Sequence, residues 1–334
     1  MEPARAAPPT TYPIINSRFP LFNSLYNTNI DPKLSDEVRK EAEAALKRPH
    51  FTVLTWNVLT HEWDRKATTE LQKWSERGPR ILCALKEVGA KIIALQECYG
   101  PMTKFFIENL GEKYNFAVRR TYGEGKDVFK PTDEIDDEQN PIFYDKEEFD
   151  RIHNYTIDSI VKFADKLFLC IELEHKISHI HFIVINVHFS IKERERTEQV
   201  NGLTKLVEGL VRRYPVIVMG DINAFPNIPS QTQFPSYDGD RIIAKLTSNS
   251  LLKDSRSVAL LGHVGDPSTY TNTPGNKTPF TGDGTPEVML DRVLGSNKVI
   301  SIAHLINNPY VGGAQPSDHK YVAAHVALIA KASK

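Results

Sequence analysis

Six apolar runs in this sequence finish on, or set out from, a side chain that is out of place in a core. "TVLTWN" ends on Asn57, "KIIALQE" on Glu97 and "FIVINVH" on His188. "VIVMGDIN" ends on Asp221 and Asn223, "LDRVL" carries Asp291, and "SDHKYVAAHV" sets Asp318 and His319 just ahead of a run. Short runs rich in Val and Ile read as strands buried in a sheet. A carboxylate or amide at the end of such a strand costs free energy unless water, a partner or a ligand meets it. Taken singly, each residue is an ordinary turn or strand end. Strands that share this ending predict a common edge, where rigid elements hold polar groups toward a ligand.

Helical patterns lie between the strands. "ERGPRILCALKEVGA" places Ile81, Leu82, Leu85 and Val88 at helical spacing, and "RERTEQVNGLTKLVEGLVRRY" does the same with Val200, Leu203, Leu206, Val207 and Leu210. Residues 31–49 predict a helix with Ser35 as N-cap and Pro49 as its stop. "KLFLCIELEHK" and "HIHFIVINVHFS" predict a hairpin joined through Ile177 and Ser178. "PMTKFFIENLGEKY" is a further helix, and another is expected near Gly239 to Leu246 in the otherwise loop-rich stretch 224–287. The acidic run "TDEIDDEQ" reads as a solvated loop. Strands and helices alternate with no linker and no repeat. The expected fold is therefore α/β, with two packed, mostly antiparallel sheets flanked by helices. Residues 1–49 are expected to form an extended arm and a helix, and residues 50–331 a catalytic domain.

Composition narrows the possible partners. Lys and Arg number 41 against 42 Asp and Glu, so the net charge is -1. No general attraction to polyanions is expected, and the charge of a phosphate ester would have to be met locally. The three cysteines Cys83, Cys98 and Cys170 form no CxxC or metal-like cluster. Free buried thiols suit a reducing compartment. The N-terminal residues hold no apolar segment of signal-peptide length, and no stretch approaches the ~20 apolar residues of a membrane span. An intracellular protein, cytoplasmic or nuclear, is the expectation; oligomeric state is not legible.

The polar endings form a coherent chemical set. Asn57, Glu97 and Asp318 are hard oxygen donors suited to Mg²⁺ or Mn²⁺, and the sequence offers no Cys/His tetrad for structural zinc. His188 and His319 can donate to phosphate oxygens. Asp291 can fix an imidazole tautomer, Asp221 can take a proton from water, and Asn223 can hold that water or a phosphate oxygen. Metal-assisted phosphoester hydrolysis is the chemistry this set points to.

In their order, the motifs WN, QE, NVH, GDIN, DR and SDH resemble the endonuclease/exonuclease/phosphatase superfamily, which includes deoxyribonuclease I. They span residues 52–327, most of the chain. The resemblance implies a four-layer α/β sandwich with its active site at one sheet edge. It implies Asn57 and Glu97 on the metal, with Glu97 the principal Mg²⁺ ligand, and Asp318 as a second metal-side carboxylate. It implies His188 and His319 on the scissile phosphate, Asp221 and Asn223 at the nucleophilic water, and Asp291 paired with His319. "WNVL" resembles the deadenylases and "LDRVL" the inositol 5-phosphatases. "NPIFYDKEEF" resembles a broader hydrolase set in which Asn140 lies near the metal.

Substrate contacts are expected from Asn140, Tyr270, and Arg194 and Arg196 beyond the His188 strand. Phe143, Tyr144, Phe225 and Tyr270 offer stacking surfaces for a base, although packing in the sandwich explains them equally well. The polar stretch His61 to Asp64 lies near Asn57. The reading is a Mg²⁺-dependent phosphodiesterase, a nuclease for RNA or DNA. An inositol-phosphate or sphingolipid hydrolase of the same fold is the alternative, and a non-catalytic binding module the third.

Overall fold

The structure is a computed structural model that describes residues 14–15, 19–27, 30–119, 130–132, 134, 137–155, 168–224, 239–269 and 288–329. The strands are β1 (Ile14–Ile15), β2 (His50–Asn57), β3 (Ile92–Gln96), β4 (Tyr114–Ala117), β5 (Ile142–Asp145), β6 (Phe149–Tyr155), β7 (Leu169–His175) and β8 (Ile180–His188). They continue with β9 (Val216–Asp221), β10 (Lys253–Asp254), β11 (His263–Gly265), β12 (Asp291–Gly295), β13 (Val299–Asn307), β14 (Tyr310–Val311) and β15 (Tyr321–Leu328). The helices are α1 (Phe19–Asn27), α2 (Asp36–Leu46), α3 (Trp74–Val88), α4 (Gly100–Leu110), α5 (Glu193–Leu210), α6 (Gly239–Thr247) and the single turn α7 (Ser255–Val258).

Two sheets make the sandwich. One has seven strands in the order β11-β13-β15-β2-β3-β5-β4, the other six in the order β10-β12-β9-β8-β7-β6. Among the ladders of these two sheets only β11/β13, β2/β3 and β8/β9 run parallel, so both sheets are mostly antiparallel, as expected. Side chains alternate along each strand, and each sheet divides its apolar residues between two layers. Phe51, Val53, Ile92 and Ala94 meet Phe182, Val184, Ile217 and Met219 between the sheets. The outer face of the seven-stranded sheet packs Leu54, Trp56, Ile93 and Leu95 against α3 and α4. The outer face of the six-stranded sheet packs Ile183, Ile185, Val216 and Val218 against α5 and α6. Helix, sheet, sheet and helix give the four layers.

The inner layer changes character along its length. On β2 the inward residues run Phe51, Val53, Thr55, Asn57; on β8 they run Phe182, Val184, Asn186, His188; on β9 they run Ile217, Met219, Asp221. One end of the intersheet space is dry and the other is lined with polar groups. Asn186 ties the sheets together where the character changes. Its Nδ2 donates to the carbonyl oxygens of Leu95 and Asn140 at 2.9 Å, and its Oδ1 accepts from Gln96 Nε2 at 2.7 Å. Such a buried amide is tolerated because its donors and acceptor are met.

The N-terminal residues depart from the expected extended arm. Phe19–Asn27 is helical, and Phe22 is fully buried in the core beneath α3 and α4. Ile14–Ile15 pairs with β14. The helix expected at 31–49 is α2, and Ser35 Oγ accepts from the Val38 amide as its N-cap. Ala42 and Ala45 of α2 pack on Leu261, Ile302 and Ala327.

Gly220 explains the glycine ahead of Asp221. Its φ is 141°, and a Cβ there would lie 1.9 Å from the Val187 carbonyl oxygen. The β8/β9 ladder pairs Val187 with Gly220 and His188 with Asp221, so the strand can reach its neighbour only without a side chain at this point. Gly220→Ala is expected to destabilise the fold by about 3 kcal/mol, from backbone strain and overpacking together. Urea unfolding of the variant measures this, and a midpoint like that of the wild type would contradict it.

Candidate active site

Strand direction brings the polar endings to one edge. β2 and β3 are parallel neighbours and finish together, as do β8 and β9. β12 is antiparallel to β9 and begins where β9 ends, with Asp291 opposite Asp221. β15 is antiparallel to β2, so the segment preceding it, with Asp318 and His319, arrives at the same edge. Register then does the rest: His188, Asp221 and Asp291 form one row across three strands. Residues directly opposite in a ladder share a face, and this row faces Asn57 across the sandwich.

Hydrogen bonds close the cluster. Asn57 Nδ2 donates to Glu97 Oε1 and Asp221 Oδ2, both at 3.0 Å, and Asn57 Oδ1 accepts from the Leu59 amide at 3.1 Å. The Thr60 amide donates to Glu97 Oε2 at 3.0 Å. Asn140 Oδ1 accepts from the Glu97 amide at 3.1 Å. Asp221 Oδ1 accepts from the Asn223 amide, and Asn223 Nδ2 donates to the Phe189 carbonyl, both at 2.8 Å. Asp221 Oδ2 also lies 3.7 Å from His188 Nε2 and 3.9 Å from His319 Nε2. Asn57, His188, Asp221, Asn223, Asp291 and His319 are buried, and Glu97 and Asp318 are partly open.

Two imidazoles point inward, each held by a carboxylate behind it. His319 Nδ1 meets Asp291 Oδ2 at 2.8 Å, and His188 Nδ1 meets Glu138 Oε1 at 2.7 Å. An ionised carboxylate only accepts, so each Nδ1 carries the proton and each Nε2 is turned to the cluster. Burial lowers the pKa of His319, but the adjoining Asp291 and the nearby Asp318 and Asp221 outweigh it and hold the imidazole well above its ordinary range. The carboxylates around it thus favour the protonated imidazole.

Glu138 stands in the acidic run expected to be a solvated loop. Asp137, Glu138 and Gln139 are instead buried, and Glu138 forms a bridge with Tyr99 as well as holding His188. The partners are 50 residues apart in sequence, so local charge pattern gave no sign of the pairing. Glu138→Gln is expected to lower turnover by about 10–100-fold, the usual effect of removing an orienting carboxylate. The imidazole tautomer loses its anchor while Asp291–His319 is untouched. Steady-state kinetics with a chromogenic phosphoester tests this, and wild-type turnover would contradict it.

The backbone is bent at the same edge. Leu59, Glu97, Asn140 and Asn223 all have positive φ, at 56°, 56°, 40° and 49°. Non-glycine residues take this conformation only where surrounding contacts impose it, and such strain concentrates at functional sites. Behind the cluster, Arg77 is fully buried and donates to the carbonyls of Val58, Leu59, Thr60, Gln72 and Pro316.

The donor set fits a hard divalent cation. Burial raises the Asp318 carboxyl, His319 and Arg77 draw it down and Glu97 pushes it up, leaving it at about 6. Two carboxylates competing for positive charge, with amide oxygens nearby and no thiolate, suit such an ion. Asp221, Asp291 and His319 also offer ligand atoms within 4.8 Å of one another.

Of the other expected contacts, the two arginines are engaged locally. Arg196 is fully buried, and its Nη1 donates to the carbonyls of Ser190 and Ile191 at 2.9 and 3.0 Å, so it caps the loop after β8. The Arg194 side chain is 91% exposed and lies 3.5 Å from Glu198. Phe143 and Tyr144 are core residues on opposite faces of β5. Tyr270 and Phe225 lie outside the described residues. His61–Lys66 is a single 3₁₀ segment, in which Asp64 Oδ1 accepts from the Trp74 amide and so caps α3. Among the described residues no helix is long and apolar enough to cross a membrane.

Comparison with known proteins matches this architecture. The family model for the endonuclease/exonuclease/phosphatase family covers residues 54–319. A crystal structure of an endonuclease/exonuclease/phosphatase from Bacteroides vulgatus is 18% identical, covers 84% of this chain and 100% of its own, and superposes with a TM-score of 0.66. A mannosyl-6-phosphatase from Bacteroides thetaiotaomicron is 17% identical over 83% of this chain and 99% of its own, with a TM-score of 0.63. D. rerio TDP2 complexed with a single-strand DNA product is 13% identical over 83% of this chain and 98% of its own, with a TM-score of 0.54. No curated protein matches the chain. With the family model spanning every residue of the cluster from Asn57 to His319, the chain belongs to the endonuclease/exonuclease/phosphatase family, whose members are phosphoester hydrolases.

Proposed function

We propose that this chain is a Mg²⁺-dependent phosphodiesterase, with Mn²⁺ able to substitute, acting on a nucleic acid or a nucleotide-like ester. The observation that carries this reading is the convergence of Asn57, Glu97, His188, Asp221 and His319 at one edge of the sandwich, with nitrogen–oxygen separations of 3.0 to 3.9 Å.

Glu97, Asp318 and Asn57 would hold the ion. When bound, a divalent cation polarises the phosphoryl group and stabilises the leaving oxygen. Asp221 Oδ2 lies between the two imidazoles and takes the proton of the attacking water. Asn223 keeps the Asp221 carboxylate oriented through its amide. The His319 imidazolium donates Nε2–H to a non-bridging phosphate oxygen, where negative charge grows as the water oxygen bonds to phosphorus. His188, braced by Glu138, aims its Nε2 at the same group.

The test is a substrate panel with Mg²⁺, Mn²⁺ or chelator: a chromogenic diester and its monoester, RNA and DNA oligonucleotides, mannose 6-phosphate, inositol phosphates and sphingomyelin. Diester cleavage at least tenfold above the monoester, lost with chelator, is the expected result. Preferential release of phosphate from monoesters would replace this reading with a sugar or inositol phosphatase.

A further inference from the structure

The Asp291–His319 pair joins the two sheets. Asp291 opens β12 of the six-stranded sheet, and His319 stands at the entry to β15 of the seven-stranded sheet. Their 2.8 Å contact holds only while the two segments keep their spacing. The β9/β12 ladder fixes Asp291 on one side. On the other side β10 pairs with Leu294 and Gly295 and stops short of the catalytic edge. The amides of Leu290 and Asp291 are thus not met by β10, and a buried amide without an acceptor is costly.

Thr269 takes the place of the missing strand. It is fully buried, and its Oγ1 accepts from the Leu290 amide at 2.8 Å and from the Asp291 amide at 3.1 Å. Its backbone reaches both segments. The Thr269 amide donates to the Val288 carbonyl at 2.9 Å, on the approach to β12. The Thr269 carbonyl accepts from the Lys320 amide at 2.7 Å, one residue past His319. Thr269 therefore bonds to the chain on each side of the carboxylate–imidazole pair. The backbone of His319 is held further by Ser317 and Trp56. Ser317 Oγ accepts from the His319 amide at 3.2 Å and donates to the Asn57 carbonyl at 2.7 Å, and Trp56 Nε1 donates to the His319 carbonyl at 2.9 Å. For Asp291 the corresponding hold is the Thr269 hydroxyl.

We propose that Thr269 is a positioning residue for the reaction: its hydroxyl sets the Asp291 carboxylate against His319 Nδ1, and so keeps His319 Nε2 aimed at the phosphate. The inference rests on the phosphoester hydrolysis proposed above. Thr269 acts through Asp291 and touches no reacting atom. Serine in its place carries the same oxygen on the same carbon. Valine matches the shape and offers no acceptor to the two amides. Displacements of about 1 Å at such a site cost up to about 10²-fold in rate.

Thr269→Val is expected to lower kcat about 10–100-fold with KM within twofold of wild type, and Thr269→Ser to restore kcat to within threefold. Each variant is assayed below its own melting temperature, so unfolding does not enter the rate. In an Asp291→Asn background the valine substitution has little left to disturb and lowers the residual rate less than twofold. A merely structural loss would lower it by the same factor in both backgrounds. A second readout needs no substrate. The His319 Nδ1 proton, held against Asp291, gives a downfield imidazole resonance, identified by its absence in His319→Gln. It is retained in Thr269→Ser and shifted upfield or lost in Thr269→Val. Wild-type kcat in Thr269→Val, a serine variant as slow as the valine one, equal losses in the two backgrounds, or an unchanged resonance in Thr269→Val overturns the proposal. A wild type that cleaves no ester of the panel, yet loses the resonance in Thr269→Val, would sink the phosphoesterase reading and leave Thr269 as the residue that sets Asp291 against His319.

Discussion

Asp221→Asn lowers turnover by about three orders of magnitude and leaves the melting temperature within a few degrees of wild type. Asparagine keeps the shape of the side chain and one of its two accepted hydrogen bonds, but the group no longer takes a proton. General-base catalysis typically supplies 10²–10⁴-fold, and the Asp221 carboxylate touches Asn57 and faces both His188 and His319. Folding is spared for a physical reason. Asp221 lies in a row with Asp291, and removing one charge from that row relieves repulsion between buried carboxylates. Steady-state kinetics with the preferred diester, alongside thermal melting, reads both quantities. A kcat within tenfold of wild type would remove Asp221 from the mechanism.

Arg77→Met has the second large effect, and it falls on stability and metal affinity together. The guanidinium is fully buried and donates to five carbonyls, those of Gln72, Val58, Leu59, Thr60 and Pro316, at 2.8 to 3.3 Å. Burial lowers its pKa to about 10, opposed by the nearby Asp318, Asp64 and Glu97, so it remains charged at neutral pH. It therefore ties the loop after Asn57 to the loop before Asp318 and supplies positive charge behind the carboxylates that face the ion. Methionine fills much of the space but leaves the carbonyls without donors. Unfolding free energy is expected to fall by about 4 kcal/mol, the scale seen when one member of a buried charged network is removed. The Mg²⁺ concentration for half-maximal activity is expected to rise at least tenfold, because the Thr60 amide that holds Glu97 sits on the loosened loop. Urea unfolding and a Mg²⁺ titration measure these separately. A stability loss below 1 kcal/mol would show that the arginine network is not what holds the two loops.

Much of this was legible in the chain itself. Val and Ile at alternating positions mark β2, β8 and β9 as strands because side-chain direction along a strand is local. The replacement of the inward apolar residues by Asn57, His188 and Asp221 at one end of those strands is visible in the same pattern. Ser35 announces the start of α2 for an equally local reason, a side-chain oxygen within reach of an amide three residues on.

Pairing is another matter. Arg194 and Arg196 look alike in sequence, yet one is solvated and the other is folded under the loop that carries Ser190 and Ile191. Phe143 and Tyr144 fit either a stacking surface or the core in sequence, and strand β5 puts them into two different cores. Glu138 sits in a run that looks solvated, and becomes the brace of His188 only once β8 passes beside it. Local periodicity told strands from helices and marked which strand ends are polar, because those preferences act over a few residues. Tertiary structure alone chose the parallel β2/β3 and β8/β9 neighbours, the row of His188, Asp221 and Asp291, and the carboxylate behind each imidazole. Such contacts join residues tens to hundreds of positions apart, and their energy exists only after the sheets have packed.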